Sequence, residues 1–221
     1  MKKLLILCLS IWTPVTYAQN NLPCLAADII FLTDRSFSMM GAEQLVGDAV
    51  SVLVEGIVPE DTRIQFGIIS FGGIAQVEIP LTSDYPKLLL SIEEYKKKNA
   101  NGSNTYIVPG INLARKVFSE SSNENNPLKI IIVLSDGEVF DEYGLGEFTD
   151  LLSKKENIIF FALGFGPEND IPDISDPILR MRFVSFMSIN DSLLTRISNG
   201  KYYRNNSLML RDTIRKLGAC L

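Results

Sequence analysis

The feature that most constrains the fold is a short, uninterrupted apolar run that ends at an aspartate. The run covers residues 29–32, and Asp34, Ser36 and Ser38 follow it at alternate positions. Four consecutive apolar residues predict a strand buried on both faces, as in the parallel sheet of an α/β domain. Ligands of open α/β sheets bind at the carboxyl ends of such strands. We therefore expect these three polar side chains to lie at a ligand site.

The rest of the chain alternates strand and helix patterns. Further buried strands are predicted at 63–71, 130–134 and 157–164, and helical spacing of apolar residues recurs at 43–57, 84–97, 108–120, 147–155, 190–198 and 207–217. Residues 74–79 alternate with period two, which predicts a short antiparallel edge strand, and 201–203 predict another edge strand. The sequence thus predicts an α/β, doubly wound, mostly parallel central sheet with one short antiparallel edge strand and helices on both faces.

The polar residues after the first strand are hard oxygen donors with little formal charge. Asp34 offers a carboxylate, and Ser36 and Ser38 offer hydroxyls, a set that suits Mg²⁺. The chain contains no histidine. Ser-His-Asp catalysis, Cys-His catalysis and histidine zinc sites are therefore excluded.

The Asp-x-Ser-x-Ser pattern after a hydrophobic strand resembles the metal-ion-dependent adhesion site of von Willebrand factor type A domains, which include integrin I domains. The family adds a threonine from a second loop and an aspartate from a third. Thr105 matches the second loop, with Ser103 as the alternative, and Asp136 follows the strand at 130–134. The resemblance implies the Rossmann-like fold of this family and a site for Mg²⁺, or alternatively Mn²⁺, formed by Asp34, Ser36, Ser38, Thr105 and Asp136.

The resemblance also implies what the site does. In this family a carboxylate of a partner protein completes the coordination of the metal, so we expect a protein-binding or adhesion domain and not an enzyme. A metal-independent scaffold or assembly subunit of the same fold is one alternative. A magnesium-dependent hydrolase is the other, although such sites usually carry a second acid two residues after the first, where this chain has Ser36.

Two residues inside the motif depart from the family pattern. Phe37 stands where the family often has glycine, and it either narrows access to the metal or supplies a hydrophobic rim. Arg35 either attracts an acidic ligand or forms a salt bridge away from the site. Glu138 and Asp141, near the third loop, are expected to face solvent.

The amino-terminal residues predict export. Lys2 and Lys3 precede an apolar stretch at 4–12, and small residues at Thr16 and Ala18 flank a cleavage point, as in a secretory signal peptide spanning residues 1–18. We expect a single domain over residues 19–221, without a membrane span, in a secreted protein that is extracellular or periplasmic. The formal net charge of −5 for the full chain makes nucleic acid a poor partner.

Three further features remain predictions about covalent and local structure. The family usually passes from the strand at 157–164 almost directly into a short helix, whereas here residues 166–187 intervene. We expect this insertion to lie on the metal face, either as a cap that contacts the ligand or packed against the flank of the domain. Cys24 and Cys220 form an even pair that is expected to be bridged in an exported protein, and the family commonly links these two places. Asn101, Asn190 and Asn205 each begin a glycosylation sequon.

Overall fold

The computed structural model describes residues 26–57, 63–98, 104–123, 126–165, 189–204 and 206–216. The predicted signal peptide, the predicted insertion at 166–187, and Cys24, Asn101, Ser103, Asn205 and Cys220 lie outside the described residues.

A mixed sheet forms the centre of the molecule. Its strands are β1 (Ala27–Asp34), β2 (Ile64–Phe71), β3 (Gln76–Thr82), β4 (Leu128–Ser135), β5 (Ile158–Gly164) and β6 (Tyr202–Arg204). The strand order in this six-stranded sheet is β3-β2-β1-β4-β5-β6. Only β3 is antiparallel to its neighbour, whereas the other pairs are parallel. The predicted sheet is confirmed.

Helices cover both faces of this sheet. They are α1 (Glu43–Ile57), α2 (Tyr85–Tyr95), α3 (Val108–Ser119), α4 (Leu145–Glu156), α5 (Asp191–Ile197) and α6 (Ser207–Lys216). Residues of α1, α2 and α6 pack in one apolar cluster, and residues of α3, α4 and α5 pack in another. None of the helices in the described part of the chain is both long enough and apolar enough to cross a membrane.

Strand β1 explains why the apolar run is continuous. Ile29 and Phe31 belong to the cluster under α1, whereas Ile30 and Leu32 belong to the cluster under α3. Since both faces are covered, every residue of β1 is buried. Each large apolar side chain transferred from water in this way stabilises the fold by about 1.5–3 kcal/mol before entropy is counted.

The register of the sheet brings the predicted metal loops together. β1 lies between β2 and β4, and Thr33 pairs with Leu134 near the ends of the two strands. Because β1 and β4 are parallel and in this register, the residues that follow them leave the sheet at the same edge. Asp34 and Asp136 are therefore neighbours even though a hundred residues separate them in sequence.

The antiparallel edge strand differs in its position from the prediction. It covers Gln76–Thr82, whereas the alternation had indicated residues 74–79. Ile74 lies in the preceding turn with 62% of its surface exposed, so the alternation began before the strand did. The strand also continues through Pro80, which an edge strand tolerates because one side of its backbone has no strand partner.

Candidate metal site

The first loop, residues 35–42, arranges the Asp-x-Ser-x-Ser side chains. Asp34 is 3% exposed, and its Oδ1 accepts a hydrogen bond of 2.9 Å from the backbone N–H of Ser36. A short 3-10 helix at Phe37–Met39 turns the chain so that the Ser36 and Ser38 hydroxyl oxygens lie 3.0 Å apart. One carboxylate and two hydroxyls are thus gathered at the end of β1, as the spacing predicted.

The third loop, residues 136–144, is tied directly to the first. The Ser135 hydroxyl donates a 2.6 Å hydrogen bond to Oδ2 of Asp34 and accepts one of 2.9 Å from the backbone N–H of Gly137. Asp136, the next residue after Ser135, is 2% exposed. No sequence pattern indicated that Ser135 would contact Asp34, yet this hydroxyl fixes the two loops to one another.

The second loop, residues 104–107, directly precedes α3. Thr105 is 4% exposed, and its carbonyl accepts a 2.8 Å hydrogen bond from the backbone N–H of Phe140 in the third loop. Tyr106 forms an isolated antiparallel bridge with Gly72, beside the end of β2. The second loop is therefore held between its two neighbours.

The two aspartates make this edge electrostatically unfavourable without a counter-ion. Burial, the largest cause, and the negative charge of Asp136 raise the pKa of Asp34 to about 7, although hydrogen bonds from Ser135 and Ser36 act in the opposite direction. Burial also raises the pKa of Asp136, against the hydrogen bond from Glu138 and the nearby Ser38 hydroxyl. Two carboxylates within reach of each other's charge disfavour joint ionisation. A divalent cation would remove this conflict.

Asp136 also has a spare ligand atom. Its Oδ1 accepts a 2.9 Å hydrogen bond from the backbone N–H of Glu138, but its Oδ2 is buried without a hydrogen-bond partner. Buried polar oxygens in folded proteins are nearly always paired, so this one is available to a ligand. No group of three or more histidine, cysteine, aspartate or glutamate side chains that could together hold a metal ion occurs in the described residues. The donors at this edge are oxygens of two carboxylates and of hydroxyls, which fit a hard divalent cation better than a thiol- or imidazole-bound one.

Comparison with known proteins agrees with this geometry. The family model for the von Willebrand factor type A domain matches residues 29–138, a range that includes all of the predicted metal ligands. This chain contains a von Willebrand factor type A domain.

Relatives of the type A domain are diverse. The human collagen alpha-5(VI) chain is 28% identical over 147 residues, which are 64% of this chain but only 6% of the collagen chain. The manganese-loaded TRAP protein of Plasmodium vivax has 18% identity and a TM-score of 0.65, covering 83% of this chain and 71% of that one. Proximal thread matrix protein 1 from the mussel byssus, solved with a zinc-occupied MIDAS motif, has 21% identity and a TM-score of 0.62, covering 89% of this chain and 46% of that one. These structures share the fold.

Arg35 of the type A domain points away from the proposed metal ligands. It is 5% exposed, its Nη1 lies 3.2 Å from Oε1 of Glu78 on β3, and its guanidinium carbon lies 5.5 Å from the ring centre of Tyr95. The Tyr95 hydroxyl in turn donates a 2.7 Å hydrogen bond to the Thr33 hydroxyl. Of the two predicted roles for Arg35, the structure supports the salt bridge and not the attraction of a ligand.

Asp141 is a structural residue that the sequence interpretation missed. Its carboxylate accepts hydrogen bonds from the backbone N–H groups of Ile107 (3.0 Å) and Val108 (2.8 Å), at the start of α3. Asp141 was expected to face solvent and not to bind the ion, but it is half-buried, because its carboxylate serves α3, which has no capping side chain of its own at Ile107. Orphan N–H groups at a helix start need an acceptor, and here the third loop supplies it. The missing cap in the sequence was the one signal that could have indicated this contact.

The backbone around Asp136 is fixed by close packing against the chain before α5. Gly137 has a φ of +81°, and a Cβ there would lie 2.9 Å from the carbonyl oxygen of Asn190. Asn190 donates its backbone N–H to the Asp136 carbonyl, and Phe165 donates its own to the Ser135 carbonyl. The Asn190 side chain caps α5 by accepting from Leu193, and its glycosylation stays a prediction.

Proposed function

We propose that this type A domain binds one divalent cation, Mg²⁺ or alternatively Mn²⁺, and uses it to recognise a carboxylate on a partner protein. The residues that would hold the ion are Asp34, Ser36, Ser38, Thr105 and Asp136. The observation that carries the proposal is the buried, unpaired Oδ2 of Asp136 at the same sheet edge as buried Asp34. Their two negative charges would balance those of the ion.

The remaining ligands would be neutral, which favours recognition of an anion. The hydroxyls of Ser36, Ser38 and Thr105 add no charge, so a bound cation would retain an attraction for an incoming carboxylate. In the chain itself, Ser135 orients Asp34, and Asp141 holds the second loop. The manganese-loaded and zinc-occupied structures of similar fold support a divalent ion in such a domain.

The proposal is for binding without turnover. The chain has no histidine, and the position two residues after Asp34 is Ser36, not a second acid.

On the strength of the sequence patterns, we further propose that residues 1–18 are removed on export and that 19–221 form one domain. We also propose that a disulfide joins Cys24 to Cys220 in the exported protein. Mass spectrometry of the exported protein without reduction would test the cleavage and the disulfide together.

Calorimetric titration of Mg²⁺ and Mn²⁺ into the chelated mature protein tests the metal site. We expect one site in the parent and none in Asp136→Ala. A folded parent that binds neither ion would overturn the proposal in favour of the metal-independent scaffold. Magnesium-dependent hydrolysis of phosphate esters that disappears in Asp34→Ala would instead show an enzyme.

A further inference from the structure

In the part of the chain that the structure describes, the exposed aromatic side chains all lie on the loops at the carboxyl edge of the sheet. In the described part of the chain, they are Phe37 at 64% exposure, Tyr106 at 40%, Phe140 at 69% and Tyr143 at 101%. All of them lie on the three loops that carry the proposed metal ligands. The other large apolar side chains that are exposed in the described residues are aliphatic or methionine, and most lie on helices or on β3. We call these four residues the aromatic rim.

The aromatic rim is interleaved with the proposed ligands. Phe37 lies between Ser36 and Ser38 on the 3-10 helix, and Tyr106 directly follows Thr105. The rings of Tyr106 and Phe140 lie 6.0 Å apart, which connects the second and third loops. A molecule that reached the ion would therefore meet aromatic surface beside it. Exposed aromatic residues grouped in this way are typical of binding surfaces and are costly in water without a partner.

The charges of the same loops restrict the partner further. Arg35 is the sole cationic residue of the three loops, and it is buried in its ion pair with Glu78. The third loop also carries acids: Glu138 is partly exposed, Glu142 is exposed, and Asp141 caps the start of α3. A ligand with many acids would be repelled by these carboxylates, because the loops themselves offer no exposed positive charge.

We propose that the aromatic rim selects a protein segment in which a single aspartate or glutamate is flanked by apolar or aromatic side chains. The proposal rests on the proposed function, since the single acid is expected to reach the ion. The flanking side chains would bury the rim and supply the specificity. A run of acidic residues, by contrast, is a poor ligand for this domain.

Peptide selection on the immobilised mature protein tests this preference for apolar flanks. The displayed library consists of nine-residue peptides with a fixed central aspartate and random flanks. We expect Mn²⁺-dependent binders whose flanks are enriched in Phe, Trp, Leu and Ile, and whose capture is lost with chelator. A synthetic peptide of the selected sequence should bind Phe140→Ser/Tyr143→Ser about tenfold or more weakly than the parent, the loss typical of central interface residues. The matched control Leu90→Ser/Met209→Ser removes exposed apolar side chains of α2 and α6 and should bind as the parent does.

Several outcomes would overturn the proposal. These are acid-rich flanks among the binders, equal binding by the rim variant and the parent, and a library that yields no Mn²⁺-dependent peptide although the parent binds Mn²⁺ by calorimetry. Failure of the parent to bind Mn²⁺ would instead overturn the proposed function. Self-association in sedimentation, or binding to phosphatidylcholine vesicles, that is lost in the rim variant would assign the rim to a second copy or to a lipid surface and would also contradict it.

Discussion

The two ends of β1 each carry a buried aspartate, but their surroundings differ. Burial raises the pKa of both Asp28 and Asp34. At the amino end, Asp28 accepts a 3.1 Å hydrogen bond from the Asn123 amide, and the positive charge of Lys129 favours its ionised form. At the carboxyl end, the charge of Asp136 opposes ionisation of Asp34.

The comparison shows what distinguishes a metal site from a buried acid. Both edges contain a buried carboxylate oxygen without a hydrogen-bond partner, Oδ2 of Asp28 at one and Oδ2 of Asp136 at the other. Among the described residues, only the carboxyl edge combines two acids with neighbouring hydroxyls, those of Ser36 and Ser38. An orphan oxygen alone is therefore a weak indicator, and the second carboxylate is the discriminating feature.

The largest contrast should come from neutralising each aspartate. We expect Asp34→Asn to weaken Mn²⁺ binding by at least about 100-fold, because loss of a ligand should exceed the 10–100-fold cost of losing an outer-shell partner. Asp28→Asn should leave the affinity within about twofold, since Asp28 lies at the far end of the strand. Calorimetry on both variants measures this, and equal losses would remove the distinction between the two edges.

A similar contrast concerns the hydrogen-bond partners of the two acids. Ser135→Ala removes the donor to Asp34 and should weaken Mn²⁺ binding by about 10–100-fold. Asn123→Ala removes the donor to Asp28 and should lower the free energy of unfolding by about 1–3 kcal/mol with no change in Mn²⁺ affinity. Titration calorimetry and urea unfolding separate the two effects. An Asn123→Ala protein with weakened metal binding would contradict the assignment.

Raising the pH should lower the contribution of Asp34 to the stability of the metal-free chain and should raise its Mn²⁺ affinity. The pKa of Asp34 is raised to about 7 in the metal-free fold, so between pH 5 and 7 the folded chain keeps a proton that the unfolded chain releases. The contribution of Asp34 to the free energy of unfolding therefore falls as pH rises, by up to about 1.4 kcal/mol per unit. Mn²⁺ affinity should rise about tenfold per unit over the same range and level off above pH 7, since binding displaces the proton.

Urea unfolding of the parent and of Asp34→Asn, both with chelator, at several pH values measures the free energy of unfolding of each protein. The difference between the two values at each pH isolates the contribution of Asp34. Calorimetry at the same pH values measures the affinity. A Mn²⁺ affinity independent of pH below 7 would show that Asp34 is already ionised in the metal-free protein.

The smallest effect is expected from the cap of α3. Asp141→Ala removes the acceptor for Ile107 and Val108 and should cost about 0.5–2 kcal/mol of stability, with a several-fold loss of Mn²⁺ affinity because Thr105 is less well held. Asp84→Ala removes the comparable cap of α2, where Asp84 accepts from Lys87, and should cost similar stability without affecting the metal. Identical Mn²⁺ affinities in the two variants would show that the cap does not position the second loop.

The sequence predicted the fold well because its signals are local. The continuous apolar run of β1 and the helical spacing of 43–57 each report burial directly, and the structure has β1 at Ala27–Asp34 and α1 at Glu43–Ile57. Asp34, Ser36 and Ser38 could be placed together because they follow the end of one strand at alternate positions. That the third loop meets the first was implied only by the resemblance to the family, and the parallel pairing of β1 with β4 accounts for it.

The contacts that the sequence could not predict are between distant side chains. Arg35 pairs with Glu78, 43 positions away, and Ser135 bonds Asp34, 101 positions away. No periodicity encodes which of several nearby polar residues will pair, because that depends on the register of β3 and β4 against their neighbours. The roles of Thr105 and Asp136 as ligands stay predictions that metal titration must test.

The backbone contacts of the third loop join two other parts of the chain to it. Phe165 and Asn190 donate their backbone N–H groups to the carbonyls of consecutive residues, Ser135 and Asp136. A displacement of the third loop would therefore have to carry both positions with it or break two hydrogen bonds, each worth about 0.5–1.5 kcal/mol. The end of β5 and the start of α5 are in this way coupled mechanically to the carboxyl edge of the sheet.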